Sequence, residues 1–267
     1  MPRDTDQVVV VRLDSSGDRS ASDSLVVEEP LEIRVDGESF LVTMRTPGDD
    51  LDLAAGFMLT EGWIHGAGDI GTLSYCPDER DPALRNTVDV RLTGSARPVR
   101  SDRRTWANSS CGLCGKATLE SIRRDSEPLV SSVRMSRQVI IGLPDALSRQ
   151  QKNFWETGGI HAAGLFDAEG RPLAVREDIG RHNAADKVIG ALLRSGTLPN
   201  AAAMMVSGRL GFEIAQKALV ARIPIVASVS APSSLAVALA RDFGMTTIGF
   251  LRGESMNIYS HPERILT

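Results

Sequence analysis

Two cysteines separated by two residues, in Ser109-Ser110-Cys111-Gly112-Leu113-Cys114-Gly115-Lys116, are the side chains of this sequence best suited to covalent chemistry. Only three cysteines occur in 267 residues, so two within one turn point to paired sulfur chemistry rather than incidental packing. Lys116 and a helix expected from about Ala117 would favour a thiolate, the form that attacks sulfur. Three chemistries compete. Zinc needs about four ligands, and no second Cys-x-x-Cys or His-x-x-x-His completes the set. A dithiol oxidoreductase would carry the pair behind a buried strand, yet residues 101–108 are polar. A persulfide carrier would hold a sulfane sulfur on one thiolate. A loop with flanking glycines suits that task, because it must visit a donor and then an acceptor. Cys76 stands apart and reads as a structural thiol.

Two further segments could bind an anionic acceptor. Residues 176–187 crowd charged and amide groups, Asp178, Arg181 and His182 among them, around an expected helix start, where backbone N–H groups and the helix dipole favour phosphate. A capped helix start with a solvated face is the plainer reading of the same pattern. Phe250-Leu251-Arg252-Gly253-Glu254-Ser255 leaves the last expected strand, and ligands of α/β sheets collect at the carboxyl ends of strands. There Gly253 permits close approach, Arg252 can meet a phosphate, and Glu254 can accept from a purine edge. A surface turn is the alternative. His161, in Thr157-Gly158-Gly159-Ile160-His161, is a third candidate, although a histidine among apolar neighbours is more often structural. Ser207-Gly208-Arg209 can also hold a phosphate but is no P-loop. Zinc deaminases place His-x-Glu ahead of Pro-Cys-x-x-Cys. Here the histidine follows the cysteines, the glutamate is missing and Ser110 precedes Cys111, so deaminase chemistry is not expected.

The elements that must position these groups fall into two rhythms. Residues 14–24 are rich in Gly, Ser and Asp and read as a mobile loop. Leu31, Ile33 and Val35, then Phe40, Val42 and Met44, alternate about Asp36-Gly37, a hairpin pattern. Asp49 or Asp50 can cap a helix bearing Leu53, Phe57 and Met58 that stops near Gly62. Val88, Val90 and Leu92 suggest another strand. Residues 94–106 read as a connector into the cysteine loop, with a short helix over 117–124. From 181 onward the pattern is helix (181–193), strand (204–207), helix (211–221), strand (225–229), helix (233–243) and strand (246–251), with Ser233 placed to cap the last helix. Such alternation implies βαβ units and a largely parallel sheet. The fold class is therefore α/β: a flexible segment over 1–27, a smaller α+β subdomain over 28–133 ending in the cysteine loop, and a larger α/β cofactor-binding domain over 134–267.

Composition narrows the partners. With 34 acidic against 30 basic residues, a net charge of -4 gives no global field for nucleic acid or an anionic membrane, so an anionic ligand must be held by local groups. An odd cysteine count argues against a secreted disulfide framework. Neither a signal-peptide pattern nor an apolar run of about 20 residues appears, and a cytoplasmic protein is expected.

Several of these blocks together resemble the FdhD family, the formate dehydrogenase accessory sulfurtransferases, from about Glu28 to Arg264. They are Arg45-Thr46-Pro47-Gly48-Asp49-Asp50, Gly56-Phe57-Met58-Leu59-Thr60-Glu61-Gly62, the Cys111–Gly115 motif, residues 157–161, residues 177–183 and Ser207-Gly208-Arg209. The resemblance implies a sulfurtransferase that accepts sulfur from a cysteine desulfurase. It would deliver that sulfur to the bis-molybdopterin guanine dinucleotide molybdenum cofactor before insertion into formate dehydrogenase. It places the persulfide on Cys111, with Cys114 as the second catalytic candidate, and the cofactor-binding segment on Phe250 to Ser255, for which a guanine nucleotide would be an analogue. A homodimer and a three-layer larger domain similar to cytidine deaminases are implied as well. A thiol-disulfide oxidoreductase and a non-catalytic cofactor chaperone remain the alternatives.

Overall fold

The computed structural model describes residues 4–15, 17–77, 85–94 and 127–266. The Cys111–Cys114 motif, most of the connector over 94–106 and the helix expected over 117–124 lie outside the described residues.

The chain opens with an antiparallel hairpin of β1 (Thr5–Asp14) and β2 (Gly17–Val26). Of residues 14–24, expected as a mobile loop, Gly17–Ser24 lie in β2. Their polar composition hides the strand because its partner, the valine run Val8–Val11 of β1, provides the β-propensity and the ladder. A four-stranded sheet follows, ordered β4-β3-β6-β5, from β3 (Glu29–Val35), β4 (Glu38–Arg45), β5 (Ile70–Tyr75) and β6 (Thr87–Leu92). Its hairpin turns at Asp36-Gly37 as the alternation requires. Leu31, Ile33, Val88 and Val90 are fully buried against α1 (Asp50–Thr60) and its surroundings. Asp49 is the N-cap residue of α1, but neither it nor Asp50 bonds the helix start through its side chain. Asp50 instead pairs with the fully buried Arg45 at 2.7 Å.

The second sheet has six strands: β8 (His161–Phe166), β9 (Pro172–Asp178), β10 (Ala203–Val206), β11 (Ile225–Ser228), β12 (Thr246–Arg252) and β13 (Ser255–Ser260), ordered β13-β12-β11-β10-β8-β9. Parallel pairing is confined to β10, β11 and β12, so the sheet is mixed rather than largely parallel. The short links between β8 and β9 and between β12 and β13 make antiparallel hairpins, being too short for a crossover. A two-residue pair, β7 (Met135–Ser136) with β14 (Ile265–Leu266), ties the C-terminal end to the start of this unit.

Helices cover both faces of the six-stranded sheet. Ile140, Leu143 and Leu147 of α2 (Arg137–Ser148) share one apolar face and pack with Ala162, Phe166, Ala203, Met205 and Ile225. A short α3 (Lys152–Thr157) follows. The opposite parity, Ala163, Leu165, Met204 and Val226, packs with α4 (Arg181–Arg194), α5 (Phe212–Val220) and α6 (Ser234–Phe243). Strands buried on both faces read as continuous apolar runs, which is how they appear in the sequence. Ser233 caps α6, its hydroxyl accepting from the Ala236 N–H at 3.2 Å.

That second core continues without a break into the first sheet, because α1 and α4 cross at backbone contact. A Cβ on Gly56 would stand 1.9 Å from the Asp186 carbonyl oxygen, and one on Gly190 1.9 Å from that of Asp52. The crossing carries the N-terminal unit onto the start of α4, where the candidate site lies.

Candidate functional site

The site begins with a register. His161 opens β8 directly opposite Asp178, the last residue of β9, and two residues later the chain turns into α4. Asp178 is fully buried and organises this turn. Its carboxylate accepts from the Gly180 N–H at 2.8 Å, the Asn183 amide at 3.0 Å and the Thr46 N–H at 3.2 Å. It also pairs with the equally buried Lys187 ammonium at 2.8 Å. Lys187 donates in turn to the Thr46 carbonyl, and the Thr46 hydroxyl accepts from the Ile179 N–H. The segment Arg45–Asp50 and the start of α4 are thus locked together by groups that have no access to solvent.

Above this lock lies a cavity of about 280 Å³ lined by His161, Ile179, Gly180, Arg181 and His182, with Glu28 and Met44 from the N-terminal unit. No side chain caps α4 at Gly180, so its first-turn N–H groups are left without a side-chain acceptor, and Arg181 lines the cavity beside them. Ser207 and Gly208, just past the end of β10, pack against the start of β8. The Ser207 hydroxyl accepts from the Ala162 N–H at 2.9 Å, and a Cβ on Gly208 would press to 3.3 Å from His161 Nδ1.

Both histidines are held neutral. Burial pushes His161 below the usual imidazole range, and Arg181 and Arg209 add to this while Asp178 opposes them. His182 is pushed down to about 4, first by burial and then by the positive charges of Lys217 and Arg181, against weaker pulls from Glu213 and Glu61. Its Nε2 is buried without a hydrogen-bond partner, 3.8 Å from Glu213. Beneath it Lys217 reaches Asp186 at 2.9 Å, Glu61 at 3.0 Å and the Thr60 hydroxyl at 3.0 Å. Burial works against the Lys217 charge, but Asp186 and Glu61 more than offset it and raise its pKa.

Three of the sequence candidates, His161, Arg181 and His182, therefore meet in one cavity, and Asp178 lies behind its lining as a positioning group. Phe250 to Ser255 sits elsewhere, three strands from β8 on the same end of the sheet, where β10, β11 and β12 all present their carboxyl ends. Phe250 adopts the left-handed φ of 51° that non-glycine residues rarely hold, and its N–H donates to the Ser230 carbonyl. Arg252 lies over the Phe250 ring at 5.8 Å and donates to the Val229 carbonyl at 2.8 Å. Gly253 and Glu254 form the tip between β12 and β13, and the Ser255 hydroxyl donates back to the Arg252 carbonyl. Leu251 is wholly buried in the core, so its side chain packs inward while its neighbours face solvent.

Sequence reasoning missed Glu28 and Met44, which reach the cavity from the far end of the chain, and the Lys217–Asp186–Glu61 cluster under His182. Glu213 and Lys217 stand four residues apart, and so do His182 and Asp186. That shared spacing is the one local signal that could have found the cluster. Among the described residues no group of His, Cys, Asp and Glu is arranged to hold a metal ion.

Residues 26–266 match the model of the FdhD/NarQ family. The sulfur carrier protein FdhD of Nocardia farcinica is 50% identical over 261 residues, 96% of this chain and 93% of that protein. The protein of the same name from Streptomyces avermitilis is 46% identical over 273 residues, 99% of this chain and 97% of its own length. A crystal structure from Desulfotalea psychrophila, described as a formate dehydrogenase accessory protein, superimposes with a TM-score of 0.80 at 26% identity, covering 98% of this chain and 99% of that one. With its matched residues running through both sheets and the lock between them, the chain belongs to the FdhD/NarQ family.

Proposed function

We propose that this protein is a sulfur carrier for formate dehydrogenase maturation, acting as a homodimer in the cytoplasm and taking sulfur from a cysteine desulfurase. The Cys111 thiolate attacks the terminal sulfur of the donor's persulfide. The donor thiolate leaves, and the sulfur stays on Cys111 as a persulfide. One means of release is attack by the Cys114 thiolate on Cys111 Sγ. The persulfide bond breaks, hydrosulfide departs toward the acceptor, and a Cys111–Cys114 disulfide remains for an external thiol to reduce.

The acceptor substrate in this reading is the bis-molybdopterin guanine dinucleotide molybdenum cofactor. The observation that carries it is the uncapped start of α4, with Arg181 beside it, opening into a cavity at the end of the sheet where β10, β11 and β12 finish. A phosphate has donors there, and His161 and His182, kept neutral, add imidazole nitrogens without further charge. Phe250 to Ser255, at the same end, provides the second contact, for the guanine dinucleotide portion. The named sulfur carriers among the relatives support the sulfur half of the reading, and the Desulfotalea psychrophila protein supports the formate dehydrogenase half. The similarity of the larger domain to cytidine deaminases, with helices on both faces of its sheet, belongs to the same proposal.

Incubation with a cysteine desulfurase and labelled cysteine tests it. Mass spectrometry is expected to find one added sulfur on the peptide carrying Cys111, none in Cys111→Ala, and no restoration of formate dehydrogenase by that variant in cells lacking the native protein. Disulfide reduction that needs both cysteines, without sulfur loading, would instead make the chain an oxidoreductase. Full rescue by a Cys111→Ser, Cys114→Ser double variant would make it a non-catalytic chaperone of the cofactor.

A further inference from the structure

The two nitrogens of the His182 ring stand in unlike places. Only three buried side-chain polar atoms among the described residues have no partner, and His182 Nε2 is one of them. Nδ1 is not orphaned in this way, and it is the nitrogen left to the cavity that the ring lines. A buried polar atom without a partner needs a physical reason. The group nearest to Nε2 is Glu213, in the first turn of α5, where the helix dipole favours a carboxylate. At 3.8 Å the carboxylate stands about 0.8 Å beyond ordinary hydrogen-bond length. Gly211 leaves room for it, since a Cβ there would lie 3.2 Å from Glu213 Oε2.

This pair decides where the ring carries its hydrogen. In a neutral imidazole one nitrogen bears a hydrogen and the other a lone pair. A lone pair on Nε2 would face a carboxylate and repel it, whereas an Nε2–H is drawn to it. The hydrogen therefore sits on Nε2, and Nδ1 offers its lone pair to the cavity. Catalytic hydrogen bonds are often long before substrate binds and tighten during reaction. Here the tightening has a cause, because a proton arriving at Nδ1 makes the ring a cation beside Glu213. Hydrosulfide suits such a cavity twice over: its negative charge can be met by Arg181, and its proton by Nδ1.

We propose that Glu213 is a positioning residue that holds His182 with its Nε2–H inward, and that His182 Nδ1 takes the proton of the hydrosulfide as the sulfur is handed to the acceptor. The step is an addition. A sulfur lone pair forms the bond to the acceptor, the S–H bond breaks with its electrons left on sulfur, and the proton goes to Nδ1, so no oxidant or reductant is consumed. The proton step rests on the sulfur-carrier function. The charges around the ring control it: Lys217 and Arg181 oppose a second proton on the imidazole, Glu213 and Glu61 favour it, and Asp186 is engaged by Lys217. A phosphate of the acceptor on Arg181 offsets one of the two opposing charges, so His182 gains basicity when the acceptor docks.

Two measurements on the full chain test this. Nitrogen-15 NMR of histidine-labelled protein at pH 7, with His182→Asn to identify the ring, is expected to show His182 as the Nε2–H tautomer. Glu213→Gln can still accept through its amide oxygen and should keep that tautomer, whereas Glu213→Ala should mix the two. Labelled sulfur loaded on Cys111 then gives the rate of a single transfer to the molybdenum cofactor. That rate should climb with pH through the titration of His182 in the complex and level off above it. It should fall about a hundredfold in His182→Asn and by less in Glu213→Ala. In Glu213→Gln the profile should move to lower pH, because a charge that favours the second proton is gone. An Nδ1–H tautomer in the unchanged chain, a tautomer indifferent to Glu213→Ala, or a transfer rate indifferent to His182→Asn would overturn the proposal. Failure of Cys111 to take up labelled sulfur would instead sink the sulfur-carrier function and the proton step with it, while the NMR still decides whether Glu213 orients His182.

Discussion

At the scale of single residues, the cavity depends on charges that never touch it. Asp178 and Lys187 are both buried, and between them they accept from or donate to Thr46, Gly180 and Asn183. A buried ion pair contributes little net stability against an apolar replacement, but removing one partner strands the other in a low dielectric. Asp178→Asn should therefore cost about 3–5 kcal/mol in urea denaturation, far more than an exposed carboxylate would. A double Asp178→Asn, Lys187→Met variant should recover part of that loss, because the stranded ammonium is gone. Single and double variants losing the same amount would show that Asp178 acts through its hydrogen bonds to the turn and not through the charge of Lys187.

At the scale of elements, the α1–α4 crossing sets where the cavity can be. Gly56 and Gly190 let the two backbones touch, and neither position has room for a methyl group. Gly190→Ala should push α4 away from α1 and destabilise the chain by about 3 kcal/mol or more, at the upper end of overpacking costs. Gly142 of α2, where a Cβ meets nothing within 4 Å, gives the contrast: Gly142→Ala should stabilise by about 0.5–1 kcal/mol. Thermal or urea unfolding of both variants reads the difference in sign. Elements with a period of their own were legible in the sequence. The Leu31–Met44 hairpin showed strict alternation, and α5, α6 and their strands showed the change from one period to another. β2 was not legible, because a Ser- and Asp-rich strand owes its structure to a partner strand 3 to 21 residues back along the chain, not to its own side chains. The pairing of β8 with β10 was hidden for a related reason: its register is fixed by contacts across about 40 residues. The site followed the same rule. His161, Arg181 and His182 announced themselves as polar residues near turns, whereas Glu28, Met44 and Lys217 acquire a role only through the crossing that brings them near.

At the scale of the whole molecule, the neutral histidines link stability to acidity in a definite direction. His182 titrates at about 4 in the folded chain against an ordinary value of 6.5. As pH falls below 6.5, the unfolded chain therefore takes up a proton that the folded chain refuses, and the unfolded state binds more protons throughout the interval. Stability must fall as pH falls across that window, and above 6.5 this contribution is constant. With its side chain only 13% exposed, His182 alone accounts for up to about 3 kcal/mol by pH 4, and His161, also depressed, adds in the same sense. The urea midpoint is expected to decline from pH 6.5 downward, ahead of the main carboxylate titrations, with most of the early slope missing in His182→Asn. NMR of the ring protons gives an independent reading, since the His182 resonances should stay at their neutral positions at pH 5.5. A midpoint flat between pH 6.5 and 5, or His182 ring resonances that move by pH 5.5, would mean that burial and the Lys217 and Arg181 charges do not hold this imidazole neutral. In that case the cavity would gain a positive charge in mild acid, and its hold on an anion would strengthen as the pH dropped.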